Sequence, residues 1–259
     1  MEVGMSLTAK QLVAPIEAFA PVATQEGWDN CGFSVGDPGK EVKKALVALD
    51  CTEQVIDEAV ELGCDIIITH HPLIFKGVKS VTPSSSVGRM ITRAIKNDIS
   101  IYSAHTNMDK AADGVSALMA KRLALGDLEP LTQENLGLVG RLEKPLSGQD
   151  FVEFVKKSFG LQRVRISEPV DGKIEKVAVC GGSGSSFIGD AMAKGAQAYV
   201  TGDITYHNFY CEKGFMVLDM GHFESEYDVV ELFANILCKN FPNFAVCISR
   251  KNNNPIYYY

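Results

Sequence analysis

"KKALVALDCTEQVIDEAVELGCDIIITHH", residues 43–71, reads as strand, helix and strand in about 30 residues. Ala45–Leu49 is a short apolar strand. Positions 55, 56, 59, 60 and 62 fall on one face of a helix, and Gly63 suits its C-cap. "DIII" then begins a second buried strand. Two strands joined by a helix in this way pair in parallel, because the helix carries the chain back before the second strand starts.

The pattern returns in "EKVAVCGGSGSSFIGDAMAKGAQAYVTGDITYH", residues 175–207, with Val177–Val179 as its first strand. Each copy is followed by a third strand, "ISIYSAH" and "GFMVLDMGH". The first copy alone carries "KGVKSVTPSSSVGRMITRAIKND" before its third strand, which predicts a loop and an amphipathic helix. The expected fold is α/β, with two related halves and largely parallel sheets. Residues 1–125 form the first half and 171–259 the second, the C-terminal segment being free to pack back on the first. Residues 126–170 read as a connector rich in Gly, Pro and polar residues, with "DFVEFVKKSFG" as a short helix within it.

At 259 residues and 46% hydrophobic residues, the chain can bury a substantial core. A net charge of −7 and a pI near 5.3 argue against a nucleic-acid surface, which needs a basic face. The apolar runs are too short to span a bilayer, and the N-terminus lacks the pattern of a signal peptide. Seven scattered cysteines without a C-x-x-C pair fit reduced thiols in a cytoplasmic protein.

Ligands of parallel α/β sheets gather beyond the carboxyl ends of the strands. Those ends carry His70 and His71, His105 and Asp109, Asp203 and His207, and His222 and Glu226. All five histidines of the chain are among them. His105 with Asp109, and His222 with Glu226, are each spaced to share a helix face and occupy matching places in the two repeats. Neighbouring strand residues point in opposite directions, so His70 and His71 are expected to serve different ions of a pair roughly 3.5–4 Å apart. Imidazole with carboxylate suits zinc or iron first, and manganese or nickel next. Two divalent ions bring more positive charge than two carboxylates cancel, which favours an anionic small-molecule substrate.

Two softer features flank this set. In "VAVCGGSGSSF", residues 177–187, Ser183 and Gly184 lie in a Gly-rich turn before a helix, where backbone N–H groups could hold an anion or simply form a tight turn. Trp28, the only tryptophan, lies in "EGWDNCGFSVGDP", where it could cover a pocket or anchor its loop.

Taken together, "WDNCGFSVG", "DIIITHHPLIF", "YSAHTNMD", "VAVCGGSGSS", "VTGDITYH" and "DMGHFESE" resemble the Nif-three-like metalloproteins, also named GTP cyclohydrolase 1 type 2 homologues. The resemblance runs nearly end to end. It implies two intertwined α/β domains, a homohexameric ring and a dinuclear site. His70, His71, Asp109, His222 and Glu226 would be the metal ligands, with Glu226 bridging. His105 and His207 would be acid–base or substrate groups beside them. The function expected from it is hydrolysis of a nucleotide or other phosphorylated small molecule by a metal-bound hydroxide. The alternative is a non-enzymatic metal-holding or scaffold protein.

Overall fold

The computed structural model describes residues 7–257. Along the chain come β1 (Leu7–Thr8), α1 (Ala9–Phe19), β2 (Gly32–Val35), β3 (Glu41–Val42), β4 (Lys44–Ala48), α2 (Glu53–Leu62), β5 (Ile66–Thr69), α3 (Ser86–Lys96), β6 (Ser100–Ser103) and α4 (Thr106–Asp109). Next are α5 (Val115–Arg122), β7 (Gly126–Pro130), β8 (Leu138–Ser147), α6 (Gly148–Phe159), β9 (Arg165–Ile166), β10 (Lys173–Ser183), α7 (Ile188–Ala193), β11 (Ala198–Gly202) and β12 (Met216–Asp219). The last elements are α8 (His222–Glu226), α9 (Asp228–Asn240) and β13 (Ala245–Ile248). The chain divides into two compact units, one of residues 1–108 and 229–259 and the other of residues 109–228.

The first unit is built on a five-stranded sheet of order β13-β4-β5-β6-β2, parallel except for β2 at its edge. The repeat forms as its sequence predicts. Thr52 caps α2 by accepting from the Val55 N–H at 3.2 Å, and Gly63 ends it with φ of 64°, where a side chain would be strained. Leu46, Val55, Ile56, Ala59, Ile67, Met90, Ile91 and Ile101 form one apolar cluster on this sheet. Ala48, Thr69 and Ser103 lie in register, so the three strands end level with one another.

The second unit carries a six-stranded sheet of order β7-β8-β10-β11-β12-β9. Its middle, β10-β11-β12, is parallel, while β7, β8 and β9 are antiparallel. Val177, Val179, Val200 and Leu218 belong to one core cluster, and Ala178, Cys180, Tyr199 and Val217 to another. Successive side chains point to opposite faces, so a strand buried on both sides reads as an unbroken apolar run. Residues 126–170, expected to serve as a connector, instead supply β7, β8, α6 and β9 to this sheet and its cover. Their long strand β8 includes Arg141, Glu143 and Lys144, which masks the alternation that marks a buried strand.

Candidate metal centre

In the first unit the strand ends bring His70, His71 and His105 together. One ring nitrogen of each lies within 4.8 Å of the others. The His70 and His71 ring centroids are 5.0 Å apart, and His105 is 5.2 Å and 5.4 Å from them. The strand alternation behind the sequence expectation of different ions for the adjacent pair does not extend to these two residues. β5 has ended at Thr69, and the N–H groups of His70 and His71 both donate to the Leu49 carbonyl, at 3.2 and 3.0 Å. The pair sits in a turn, where strand alternation no longer applies.

Each of these rings is held at Nδ1. His70 donates to the Ala104 carbonyl at 2.8 Å, His71 to Asp50 Oδ1 at 2.8 Å, and His105 to Asp29 Oδ1 at 2.8 Å. Because a carbonyl or carboxylate accepts there, the neutral ring carries its proton on Nδ1 and its lone pair on Nε2. That tautomer is the one a metal ligand requires, and a carboxylate behind the ring raises its basicity.

The Asp29 side chain is fully buried and also accepts from the Thr106 N–H and hydroxyl, at 3.1 and 2.5 Å. Burial alone would raise its carboxyl. The hydrogen bonds from His105, Thr106 and Asn30, with the charge of His105, instead hold it well below the usual carboxylate range. The neighbouring Trp28 is 60% exposed, with its ring 5.6 Å from Phe75 and 6.2 Å from His105. An indole left open to solvent in a loop this well tied does not serve as the loop's apolar anchor.

The second unit holds His222, Glu226 and Asp109. α8 begins at His222 and places Glu226 one turn later, with Nε2 of the ring 3.1 Å from the carboxylate. Nδ1 of His222 donates to Asp203 Oδ2 at 2.7 Å. Asp203 follows β11 with φ of 53°, an uncommon backbone conformation for a residue other than glycine. Burial, together with the charges of Asp109 and Glu226, pushes the thiol of Cys180 in β10 up to about 12.

The Gly-rich turn is a tight turn, the second of the two sequence readings, with two of its N–H groups engaged by hydroxyls. The Gly184 N–H donates to the Thr201 hydroxyl at 3.1 Å and that of Gly182 to the Ser225 hydroxyl at 2.9 Å, so both are committed inside the fold. Gly182 has φ of 63°, and a Cβ on it would lie 2.2 Å from Glu226 Oε1. The turn is glycine because the carboxylate passes against its backbone. Ser183 ends β10 opposite Gly202. His207 is exposed and packs its ring at 5.3 Å from Tyr206, and it joins none of the ligand groups found among the described residues.

Sequence reasoning passed over Asp29 and Asp50, and it did not assign Asp203 a role. Asp50 stands two residues beyond the last residue of β4, as His71 and His105 do beyond theirs, so the strand-end rule applied to the first strand would have found it. The donor chemistry fits a divalent transition ion: neutral imidazoles with fixed tautomers and buried carboxylates, and no thiolate.

Known proteins resemble this chain over nearly its whole length. Residues 7–255 match the family model Duf34/NIF3 (NGG1p interacting factor 3). The chain is 42% identical over 223 residues to a GTP cyclohydrolase 1 type 2 homolog of Clostridium perfringens, covering 83% of this chain and 85% of the relative. It is 37% identical to the homolog of Clostridium acetobutylicum, over 97% of this chain and 98% of the other. Among solved structures, a Bacillus cereus protein related to NIF3 superposes with a TM-score of 0.88 at 25% identity, covering 97% of this chain and 99% of that one. Reduced HcgD from Methanocaldococcus jannaschii gives 0.83 at 32% identity, covering 94% and 98%. No helix among the described residues is long and apolar enough to cross a membrane. By the family model over residues 7–255 and by these relatives, this chain belongs to the Duf34/NIF3 family.

Proposed function

We propose that this protein is a metal-dependent hydrolase. His70, His71, Asp109, His222 and Glu226 would be ligands to two divalent ions, zinc or iron first. The observation that carries this reading is the fixing of four imidazoles at Nδ1, three by aspartates and one by a carbonyl, so that each offers Nε2. Bound divalent ions acidify water toward a pKa of about 7 and polarise a phosphoryl or carbonyl oxygen.

The chain's own residues supply orientation and proton transfer. Asp29 fixes His105 so that Nε2 can take a proton from attacking water and return it to the leaving oxygen. His207, exposed on the loop after β11, is the second candidate for that transfer. Trp28, beside His105, would cover the substrate. The substrate would be a nucleotide, to which the relatives' name, GTP cyclohydrolase 1 type 2 homolog, points, or another phosphorylated small molecule, and the protein would act as a homohexamer in the cytoplasm.

The test is metal analysis joined to turnover. Glu226→Gln and His71→Ala should each lower bound metal well below wild type. Metal-loaded wild type should release formate or phosphate from nucleotides, and His71→Ala should not. Equal rates for the two proteins would remove the site from catalysis. Metal binding without turnover would leave a metal-holding protein in place of a hydrolase.

A further inference from the structure

We infer that Asn252, near the C-terminus, is a positioning residue for the histidine pair, acting through the Leu49–Asp50 peptide and the Asp50 side chain. The inference rests on the reading of His71 as a metal ligand.

The C-terminal segment is led to this place by two attachments. β13 pairs in parallel with β4, and the Ser249 N–H continues the ladder to the Val47 carbonyl at 2.9 Å. Beyond it, Glu58 of α2, only 7% exposed, accepts from the Ser249 hydroxyl and from the N–H groups of Arg250 and Lys251, at 2.9 and 3.3 Å for the two amides. A buried carboxylate satisfied by three donors of one short segment fixes where that segment turns.

Asn252 follows, buried at the end of β4. Its Oδ1 accepts from the N–H groups of Leu49 and Asp50, and its Nδ2 lies 3.5 Å from Asp50 Oδ2. The Asp50 N–H and the Leu49 carbonyl belong to one peptide unit. Asn252 holds that unit from its N–H side, while the carbonyl side receives the N–H groups of His70 and His71. Asp50 then takes the His71 ring at Nδ1. One amide side chain therefore governs both the backbone turn of the pair and the ring orientation of His71.

The test uses the full chain and Zn2+ alone, titrated against a chromophoric chelator, with the metal-free unfolding midpoint and the imidazole 15N signal of His71 recorded for each variant. Asn252→Ala should weaken Zn2+ binding by about 10-fold, the lower range for outer groups that orient ligands, and should broaden or shift the His71 Nδ1 signal. Asp50→Ala should do the same. The double variant should lose less than the product of the single losses, as expected for residues acting along one path. Asn252→Ser, which keeps a shorter polar side chain, should fold even where alanine does not, and should weaken binding about threefold. Wild-type affinity in Asn252→Ala or Asn252→Ser, or losses that multiply, would overturn the inference. His71→Ala separates the two layers. If it binds Zn2+ as wild type does, the underlying metal reading fails and this one with it. If it loses Zn2+ while the Asn252 variants keep it, only the role of Asn252 fails.

Discussion

Replacing Gly182 by alanine perturbs the second unit's donors without replacing any of them. The added Cβ would sit 2.2 Å from Glu226 Oε1, whereas ordinary contact begins at 3.4 Å, so the carboxylate must retreat by about 1.2 Å. Metal ligation tolerates only about 0.5 Å of misplacement before affinity suffers. Glu226 has little room to comply, since it is 4% exposed and its carboxylate is 3.1 Å from the His222 ring. Metal affinity should therefore fall by about 10–100-fold, the range for disturbing a ligand's support. Alanine at φ of 63° adds a backbone cost of about 1–2 kcal/mol. At about 2–4 °C per kcal/mol for a chain of this size, the metal-free midpoint should drop by about 2–8 °C. Chelator competition and thermal unfolding read the two effects separately. A Gly182→Ala protein that binds metal within twofold of wild type would refute Glu226 as a ligand in this geometry, because the clash leaves the carboxylate no unaltered position.

Three further outcomes are expected. Asp203→Gly should weaken metal binding by about 10-fold by releasing Nδ1 of His222, and should relieve the positive-φ strain at that position, so affinity falls while the unfolding midpoint holds or rises. Burial pushes the thiols of Cys51, Cys64 and Cys180 up to about 12. Their reactive thiolate fraction at pH 8 is then roughly one in ten thousand. Iodoacetamide mapped by mass spectrometry should label exposed Cys238 while sparing these three until the pH approaches 12 or the chain unfolds. Ile67→Ala, at a fully buried position of β5, should cost about 2–5 kcal/mol, measured by denaturant unfolding.

The parallel cores and the histidines at their ends were legible because they rest on local periodicity. A strand, a capped helix and a second strand declare themselves within one window, and the residue after a strand end needs no distant partner to be noticed. Asp29 declares nothing of the kind. It is a single carboxylate among 32 acidic residues, and it finds its imidazole only through folding, across 76 positions at His105. The Gly-rich turn was visible but its role was left open, since a backbone kept bare for an anion and one kept bare for a glutamate have the same composition. The antiparallel strands between residues 126 and 170 escaped because polar residues within β8 break the two-residue alternation.

The second unit interrupts the first along the chain, and this sets an order on synthesis. When residue 108 leaves the ribosome, β4 still lacks its neighbour β13, and the Leu49–Asp50 amides still lack Asn252. Translation of residues 109–228 takes roughly 6–24 s at about 5–20 residues per second. Throughout that interval the nascent sheet presents an open edge along Lys44–Ala48, with a template's unpaired groups. The histidine turn therefore acquires its last support only as the tail is released, and a metal ion arriving earlier would meet a half-organised receptor.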